Sequence, residues 1–202
     1  RIPADEESPI VVSGGMQGLF GAFATLLDRD DEVLTFSPYW TPIVDVITWN
    51  GGVPVLVPTE RARAKGISAT LARAVTPRTK VLYWNSPNNP TGAIYTRPEV
   101  DAMLLWAAER GLWVISDEIY GRLCFHTARA TSVLDADPSL LERTVLIAAV
   151  LQQQRIGVHA VYLDHNAFYH VLQATAFALV FRCAWWVLGN RPSREVTYVD
   201  AT

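Results

Sequence analysis

The chain has 202 residues, of which 50% are apolar and 18% are charged, so it is a globular rather than a disordered protein. A net charge of −3 argues against a nucleic-acid-binding protein, which needs a concentrated basic surface. The apolar stretch from Ala174 to Gly189 carries Arg182 in its middle and falls short of the roughly 20 apolar residues of a membrane span. Two cysteines, Cys124 and Cys183, provide neither a disulfide framework nor a metal-ligand spacing. We therefore expect a cytoplasmic protein that does not cross a membrane.

Between residues 9 and 147, short apolar runs alternate with segments of helical periodicity. The predicted strands are Pro9–Ser13, Glu32–Phe36, Val53–Val57, Lys80–Trp84, Leu112–Ser116 and Thr144–Ile147. The predicted helices are Met16–Leu27, Thr41–Trp49, Ala69–Val75 and Pro98–Arg110. This alternation predicts an α/β fold, with a mostly parallel sheet and helices on both of its faces.

Proline, threonine and glycine mark several boundaries of these elements. Thr41 is a candidate cap for the second predicted helix, with Pro42 at the first helical position. Gly111 closes the fourth predicted helix. Pro58 ends the predicted strand Val53–Val57, and Pro54 inside it counts against a strand there, because proline cannot donate a backbone hydrogen bond.

The alternating pattern stops at about Ala148, and we expect residues 148–202 to be a separate, divergent region of uncertain structure. Three of the four histidines lie close together in it: His159, His165 and His170. A metal site that also uses Asp164 or Cys183 is one interpretation. The spacings match no standard ligand pattern, so surface or core histidines are preferred and no metal site is predicted.

Two segments that follow predicted strands offer groups for an anion or a planar ring. Gly14 and Gly15 precede a helix, so the backbone can approach an anion closely and free N–H groups point towards it. The same pattern is common in simple tight turns. Trp40, in the turn after the strand ending at Phe36, has an aromatic face for stacking. On its own it is an ordinary core or interface tryptophan.

Polar residues also follow the fourth and fifth predicted strands, Lys80–Trp84 and Leu112–Ser116. Asn85–Gly92 contains asparagines, prolines and a glycine, a composition typical of an irregular loop. Asp117 comes directly after an apolar run, and a carboxylate there is costly to bury unless a cation or donor pairs with it. The alternative is a helix cap formed by Ser116 or Asp117.

Together, Asn85–Gly92, Val114–Tyr120 and Val11–Phe20 resemble the cofactor-binding motifs of the aspartate aminotransferase family. These class I/II aminotransferases are pyridoxal-phosphate enzymes of fold type I. The resemblance covers residues 9–147. It implies that residues 1–147 are the cofactor-binding part of an incomplete fold type I large domain.

The resemblance also implies which residues hold pyridoxal 5′-phosphate. Gly15 and Met16 match the family's phosphate-binding turn, where backbone N–H groups bind the phosphate, and Trp40 matches its ring-stacking aromatic residue. Asn89 matches the family residue that hydrogen-bonds the ring oxygen of the cofactor.

Two further site residues are implied after the fifth predicted strand. Tyr120 matches a second family residue that binds the ring oxygen, and Asp117 matches the residue that pairs with the ring nitrogen. A carboxylate there keeps the nitrogen protonated, so that the ring can act as an electron sink.

The activity implied by the resemblance is amino group transfer between an amino acid and a 2-oxo acid, carried out by a homodimer. That reaction needs a lysine. The family places it near the position of Gln152, whereas this chain has only Lys65, outside any matching motif, and Lys80, at the wrong edge of the predicted sheet. No catalytic residue is therefore assigned. A catalytically inactive, truncated or rearranged relative that keeps only the cofactor site is the alternative, as is a related lyase.

Overall fold

A computed structural model of the chain describes residues 10–124 and 129–148. All of these residues belong to one compact unit, Arg1–Gln153. The predicted C-terminal region, 148–202, lies outside the described residues apart from Ala148, and so do its histidines.

Within the described residues, five strands form one parallel sheet. They are β1 (Glu32–Ser37), β2 (Val53–Pro58), β3 (Thr79–Asn85), β4 (Trp113–Asp117) and β5 (Thr144–Ile147). Their order across the sheet is β2-β1-β3-β4-β5, so the direction in which strands are added reverses at the β1–β3 pair. Open α/β sheets bind ligands at such a point, beyond the carboxyl ends of the strands.

Helices cover both faces of this sheet, as the sequence predicted. In the described part of the chain they are α1 (Gly15–Leu26), α2 (Pro42–Trp49), α3 (Thr59–Lys65), α4 (Ile67–Ala74) and α5 (Arg97–Ala108). Buried side chains of α1 and α2 pack on one face, and those of α3, α4 and α5 pack on the other. Single turns of 3₁₀ helix, Val133–Asp135 and Pro138–Leu140, precede β5.

Alternating strand residues supply two hydrophobic cores. Leu82 and Trp84 of β3 enter the core beneath α3, α4 and α5, whereas Val81 and Tyr83 enter the core beneath α1 and α2. Successive side chains of a strand point to opposite faces, so a sheet covered on both sides needs apolar residues at almost every position. This requirement explains the short continuous apolar runs in the sequence.

Two expectations for local structure are wrong. Pro9–Ser13 was expected to be a strand, but its described residues, 10–13, form none. Ile10 and Val11 are 86% and 87% exposed there. Apolar residues favour a strand only where a neighbouring strand and a core receive them. Thr41 precedes α2, yet its hydroxyl caps no described backbone N–H, because its φ and ψ of −51° and −40° are already helical.

Other boundary signals are confirmed. Pro42 begins α2, and Gly111, at a φ of +64°, donates its N–H to the carbonyl of Ala108 at the end of α5. Pro54 is tolerated because β2 lies at an edge of the described sheet. The start of α5 was not predicted as a cap: the Thr96 hydroxyl accepts from the Glu99 N–H while the Glu99 carboxylate accepts from the Thr96 N–H.

A buried carboxylate, Glu32, organises the amino edge of the sheet. It accepts hydrogen bonds from Thr76 Oγ1 at 2.6 Å, Arg78 Nη2 at 2.6 Å and Thr79 Oγ1 at 3.2 Å. These donors, led by Thr76 and aided by the charge of Arg78, lower the pKa of Glu32 despite its burial. The turn before β3 is thereby tied to the first residue of β1.

None of the helices within residues 10–124 and 129–148 combines the length and apolar character needed to cross a membrane.

Two buried threonines give opposite predictions for the same substitution. Thr35 is fully buried in β1 and its hydroxyl finds no hydrogen-bond partner among the described residues, so Thr35→Val should stabilise the fold by about 1 kcal/mol. Thr79→Val is the matched control, because it removes the bond to Glu32 and should destabilise by about 1–2 kcal/mol. Urea unfolding of both variants checks this. Equal effects of the two substitutions would contradict the conclusion that Thr79 is hydrogen-bonded to Glu32 while Thr35 has no partner among the described residues.

Candidate cofactor site

The carboxyl ends of β1, β3 and β4 lie at one edge of the sheet because the strands are parallel. Asn85, the last residue of β3, is in register with Asp117, the last residue of β4. Ile147, at the end of β5, is the neighbour of Asp117 on its other side. The polar residues that follow β3 and β4 in the sequence are therefore adjacent in space.

Asp117 is a buried carboxylate with two neutral donors. It is 5% exposed, and it accepts hydrogen bonds from Tyr83 Oη to Oδ2 and from Ile119 N to Oδ1, each at 3.2 Å. Burial raises the pKa of Asp117 to about 6, and the nearby charge of Glu118 acts in the same direction. The Ile119 N–H and the Tyr83 hydroxyl oppose the shift, but the effect of burial is larger. The site thus holds a carboxylate whose negative charge has no cationic partner among the described residues.

Asparagines fix the loop after β3 to the end of β4. Asn85 Nδ2 donates to the Asp117 carbonyl at 3.0 Å, and the Ser86 N–H donates to the same oxygen at 2.9 Å. The Asn89 N–H donates to Asn85 Oδ1 at 2.7 Å. Asn89 Nδ2 lies 3.5 Å from Tyr120 Oη, a long hydrogen bond. The amide of Asn89 and the phenol of Tyr120 therefore meet at one point near Asp117.

Trp40 lies in the segment between β1 and α2, and it is joined to the site through a neighbouring loop. Asn88 Nδ2 donates to the Pro38 carbonyl at 3.2 Å, which links this segment to the loop after β3. Asn88 Oδ1 also accepts from Thr91 Oγ1 at 2.8 Å, which holds the loop in a tight turn. Trp40 is half-buried and packs against the core beneath α1 and α2.

The N-terminus of α1 lies against the segment that follows Asp117. A Cβ atom added to Gly15 would come within 2.9 Å of Ile119 Cδ1, so glycine allows this close approach. Gln17 and Gly18 are the first residues of α1 to donate to the Gly14 carbonyl, at 3.2 Å and 3.4 Å. The N–H groups of Gly15 and Met16 precede these bonds and face outward from the helix end.

Of the six predicted site residues, Asn89 and Tyr120 are in direct contact. Asp117 is linked to Asn89 through Asn85, and Gly15 lies against Ile119. Met16 is 38% exposed beside Gly15, and the segment of Trp40 is linked to the loop after β3 by the Asn88–Pro38 hydrogen bond. The contacts describe proximity, and the cofactor role of each residue stays a prediction.

Sequence reasoning missed two side chains that shape this site. Tyr83 holds Asp117, and the alternation of β3 was a usable signal, since Tyr83 and Asn85 share a face of the strand. Glu118 is 7% exposed and accepts from Ser116 Oγ at 3.0 Å and from the Val133 N–H at 2.8 Å. Burial raises the pKa of Glu118, although its hydrogen bonds oppose the shift.

Neither lysine belongs to the segments that follow β1, β3 and β4 at this edge of the sheet. Lys80 is the second residue of β3, at the amino edge, where its Nζ lies 3.7 Å from Asp31 Oδ2. Lys65 is the last residue of α3. The position at which the family lysine was expected, near Gln152, lies outside the described residues. Residues 10–124 and 129–148 contain no group of three or more His, Cys, Asp or Glu side chains arranged to hold a metal ion.

The family model for aminotransferase class I and II matches residues 1–159. This chain belongs to the class I and II aminotransferase family. Among its curated relatives, an aspartate aminotransferase from Streptomyces avermitilis is 41% identical over 147 residues, which are 72% of this chain and 36% of that protein. An asparagine–oxo-acid transaminase from Streptococcus mutans is 37% identical over 147 residues, 72% of this chain and 37% of that protein.

Solved structures of the family share the fold described above. An N-succinyldiaminopimelate aminotransferase from Mycobacterium tuberculosis matches with a TM-score of 0.59 and 32% identity, over 67% of this chain and 36% of that one. An aspartate aminotransferase from Thermotoga maritima matches with a TM-score of 0.61 and 30% identity, over 83% and 46%. The parallel sheet with helices on both faces is thus part of the fold type I architecture, as predicted. This aminotransferase chain spans just over a third of the length of the two curated relatives.

The raised pKa of Asp117 predicts a pH-dependent gain in stability when the charge is removed. Since the folded-state pKa lies above the ordinary value of 3.8, the protein loses stability as pH rises through about 6. Asp117→Asn should therefore raise the free energy of unfolding by about 1–2 kcal/mol near pH 8, less than the full shift because one amide hydrogen stays unpaired. The gain should vanish near pH 4. Urea unfolding at both pH values measures it, and a pH-independent loss would contradict the burial of an ionised Asp117.

Proposed function

We propose that this chain forms the cofactor-binding part of a pyridoxal-phosphate-dependent aminotransferase-like protein. Its reaction is the transfer of an amino group between an amino acid and a 2-oxo acid. The observation that carries the proposal is the buried Asp117 carboxylate, set beside Asn89 and Tyr120 at the carboxyl edge of the sheet. Family membership supports the same conclusion.

The electrostatics of Asp117 fit the ring nitrogen of pyridoxal 5′-phosphate. Tyr83 and Ile119 supply only neutral donors, and burial leaves the negative charge of Asp117 poorly compensated. A protonated ring nitrogen is a cation with a directed N–H, so it supplies the missing partner. When bound, the cofactor provides an electron-withdrawing ring that stabilises negative charge on the substrate carbon.

The other predicted residues suit the remaining parts of the cofactor. The Asn89 amide and the Tyr120 phenol meet at 3.5 Å, and both can donate to a ring oxygen. The outward N–H groups of Gly15 and Met16, at the positive end of the α1 dipole, suit a phosphate. Trp40 would stack on the ring.

The lysine requirement is not met by the described site. Lys80 pairs with Asp31 at the amino edge of the sheet, and Lys65 ends α3, which packs on the face of the sheet opposite to Tyr83. This observation favours a second candidate function, an inactive relative that binds the cofactor without turnover. A related lyase remains the third possibility, because one cofactor site can serve several reactions. We further propose a cytoplasmic homodimer, by analogy with the family.

Cofactor binding through Asp117 predicts a severe loss of affinity in Asp117→Ala. Removing one partner of a buried charge pair costs about 2–5 kcal/mol, which corresponds to at least about thirtyfold weaker binding. Titration of the purified chain with pyridoxal 5′-phosphate, followed by absorbance, measures the affinity. Asp45→Ala, which removes an exposed carboxylate from α2, is the control and should bind like the parent. Equal affinities of both variants would refute the site.

Borohydride trapping separates turnover from binding alone. An active aminotransferase bonds the cofactor to one lysine, and reduction fixes that bond for peptide mass spectrometry. If the chain binds the cofactor without a catalytic lysine, borohydride should attach no more cofactor to any one residue than it does in the unfolded chain. That result would end the aminotransferase assignment for this chain and leave the inactive relative. A specific adduct that depends on Asp117, together with amino transfer, would establish catalysis.

A further inference from the structure

Tyr83 is a buried tyrosine whose hydroxyl lies inside the candidate site. It is 2% exposed in the middle of β3, two residues before Asn85, and its Oη is 3.2 Å from Asp117 Oδ2. Its ring packs against the ring of Phe23 in α1, with 6.1 Å between centroids and 52° between planes. The tyrosine therefore contacts both the helix whose N-terminus borders the site and the carboxylate at the end of β4.

The two oxygens of Asp117 are held from different directions. Tyr83 approaches Oδ2 from the neighbouring strand, and the Ile119 N–H approaches Oδ1 from the segment after β4. Each carboxylate oxygen can accept more than one hydrogen bond, so both donors leave room for another partner. A carboxylate held at both oxygens cannot rotate freely about its last side-chain bond.

We propose that Tyr83 is a positioning residue for Asp117, holding the carboxylate ionised and in one orientation for a protonated ring nitrogen. The part that concerns the ring nitrogen rests on the proposed function. The effect of Tyr83 on the carboxylate is a property of the chain itself and is open to measurement without any cofactor.

Whether Asp117 is ionised depends on the balance between its burial and the hydrogen bonds that it accepts. Burial pushes Asp117 towards its protonated form, whose protonated oxygen is a weaker hydrogen-bond acceptor and which does not attract a cation. Tyr83 donates to the ionised form and so lowers the pKa of Asp117. The other groups that act on this pair are the Ile119 N–H, the Glu118 carboxylate and the Tyr120 phenol.

Tyr83 itself stays protonated across the physiological range. Its burial, and then the negative charge of Asp117, raise the pKa of the phenol well above its ordinary value. A phenol that does not ionise is a permanent donor. Tyr83 therefore acts through Asp117 and transfers no proton.

Carboxyl-carbon NMR of the cofactor-free protein with labelled aspartate tests the proposal. The Asp117 signal is the one that is lost in Asp117→Asn. Tyr83→Phe removes only the hydroxyl and should raise the pKa of Asp117 by about one unit. Tyr95→Phe is the matched control: it removes the hydroxyl of another buried tyrosine, which belongs to the core on the opposite face, and should leave the Asp117 titration unchanged. An unchanged pKa in Tyr83→Phe would overturn the proposal.

A second substitution tests the same Tyr83–Asp117 hydrogen bond if Tyr83→Phe does not fold. Fluorotyrosine at position 83 keeps the ring and makes the phenol a stronger donor, so the pKa of Asp117 should fall, opposite in sign to the effect of Tyr83→Phe. No change with fluorotyrosine would count against the hydrogen bond.

Cofactor titration then separates the two proposals. With pyridoxal 5′-phosphate, Tyr83→Phe should need a pH about one unit higher than the parent to reach half of its highest affinity, whereas Tyr95→Phe should match the parent. If the parent chain binds no cofactor, the proposed function fails, yet the NMR titration still decides the role of Tyr83. If the cofactor binds and the NMR titration does not respond to Tyr83→Phe, only the Tyr83 proposal fails.

Discussion

The parallel pairing of β3 with β4 is the constraint on which the candidate site depends. It sets Asn85 beside Asp117 and brings Tyr83, two residues earlier on the same face, within reach of the Asp117 carboxylate. The loop after β3 is then tied to the end of β4 by bonds to the Asp117 carbonyl, which holds Asn89 near Tyr120. A shift of one residue in this register would turn the polar side chains of one strand into the opposite core. The pairing of β3 with β4 therefore determines both the packing of the sheet and the geometry of the candidate site at this edge.

The sequence predicts the sheet well because its central strands, β1, β3 and β4, are buried on both faces and are largely apolar. It fails at residues 10–13, where an apolar run has no neighbouring strand among the described residues, and at Thr41, where the backbone is already helical. Site residues that follow strands, such as Asn89 and Asp117, could be found because the ends of parallel strands share an edge. Alternation along β3 places Tyr83 on the same face as Asn85, but its contact with Asp117 could not be predicted, because that contact depends on which strand lies beside β3 and in which register. That information is tertiary and is absent from a local pattern.

Family membership and catalytic competence rest on different parts of the molecule. The groups suited to a cofactor come from strand ends and a helix N-terminus that the fold fixes in place. The covalent step needs one amine at the same edge, and the two lysines of the chain lie on α3 and at the amino end of β3. Among the described residues, neither lysine belongs to the segments that carry the predicted site residues.

Glu32 and Asp117 are two buried carboxylates at opposite edges of the sheet, and they act on stability in opposite directions. Glu32, paired with Arg78 and two hydroxyls, has a lowered pKa, so its contribution is present above its ordinary pKa and is lost as pH falls. Asp117, without a cation, has a raised pKa, so its cost grows as pH rises towards and past about 6. These two carboxylates together favour the cofactor-free fold at mildly acidic pH, and Glu118, whose pKa burial also raises, acts in the same direction as Asp117. A cation seated on Asp117 removes the second effect alone, so a ligand at the carboxyl edge would also move the stability optimum of the whole domain towards neutral pH.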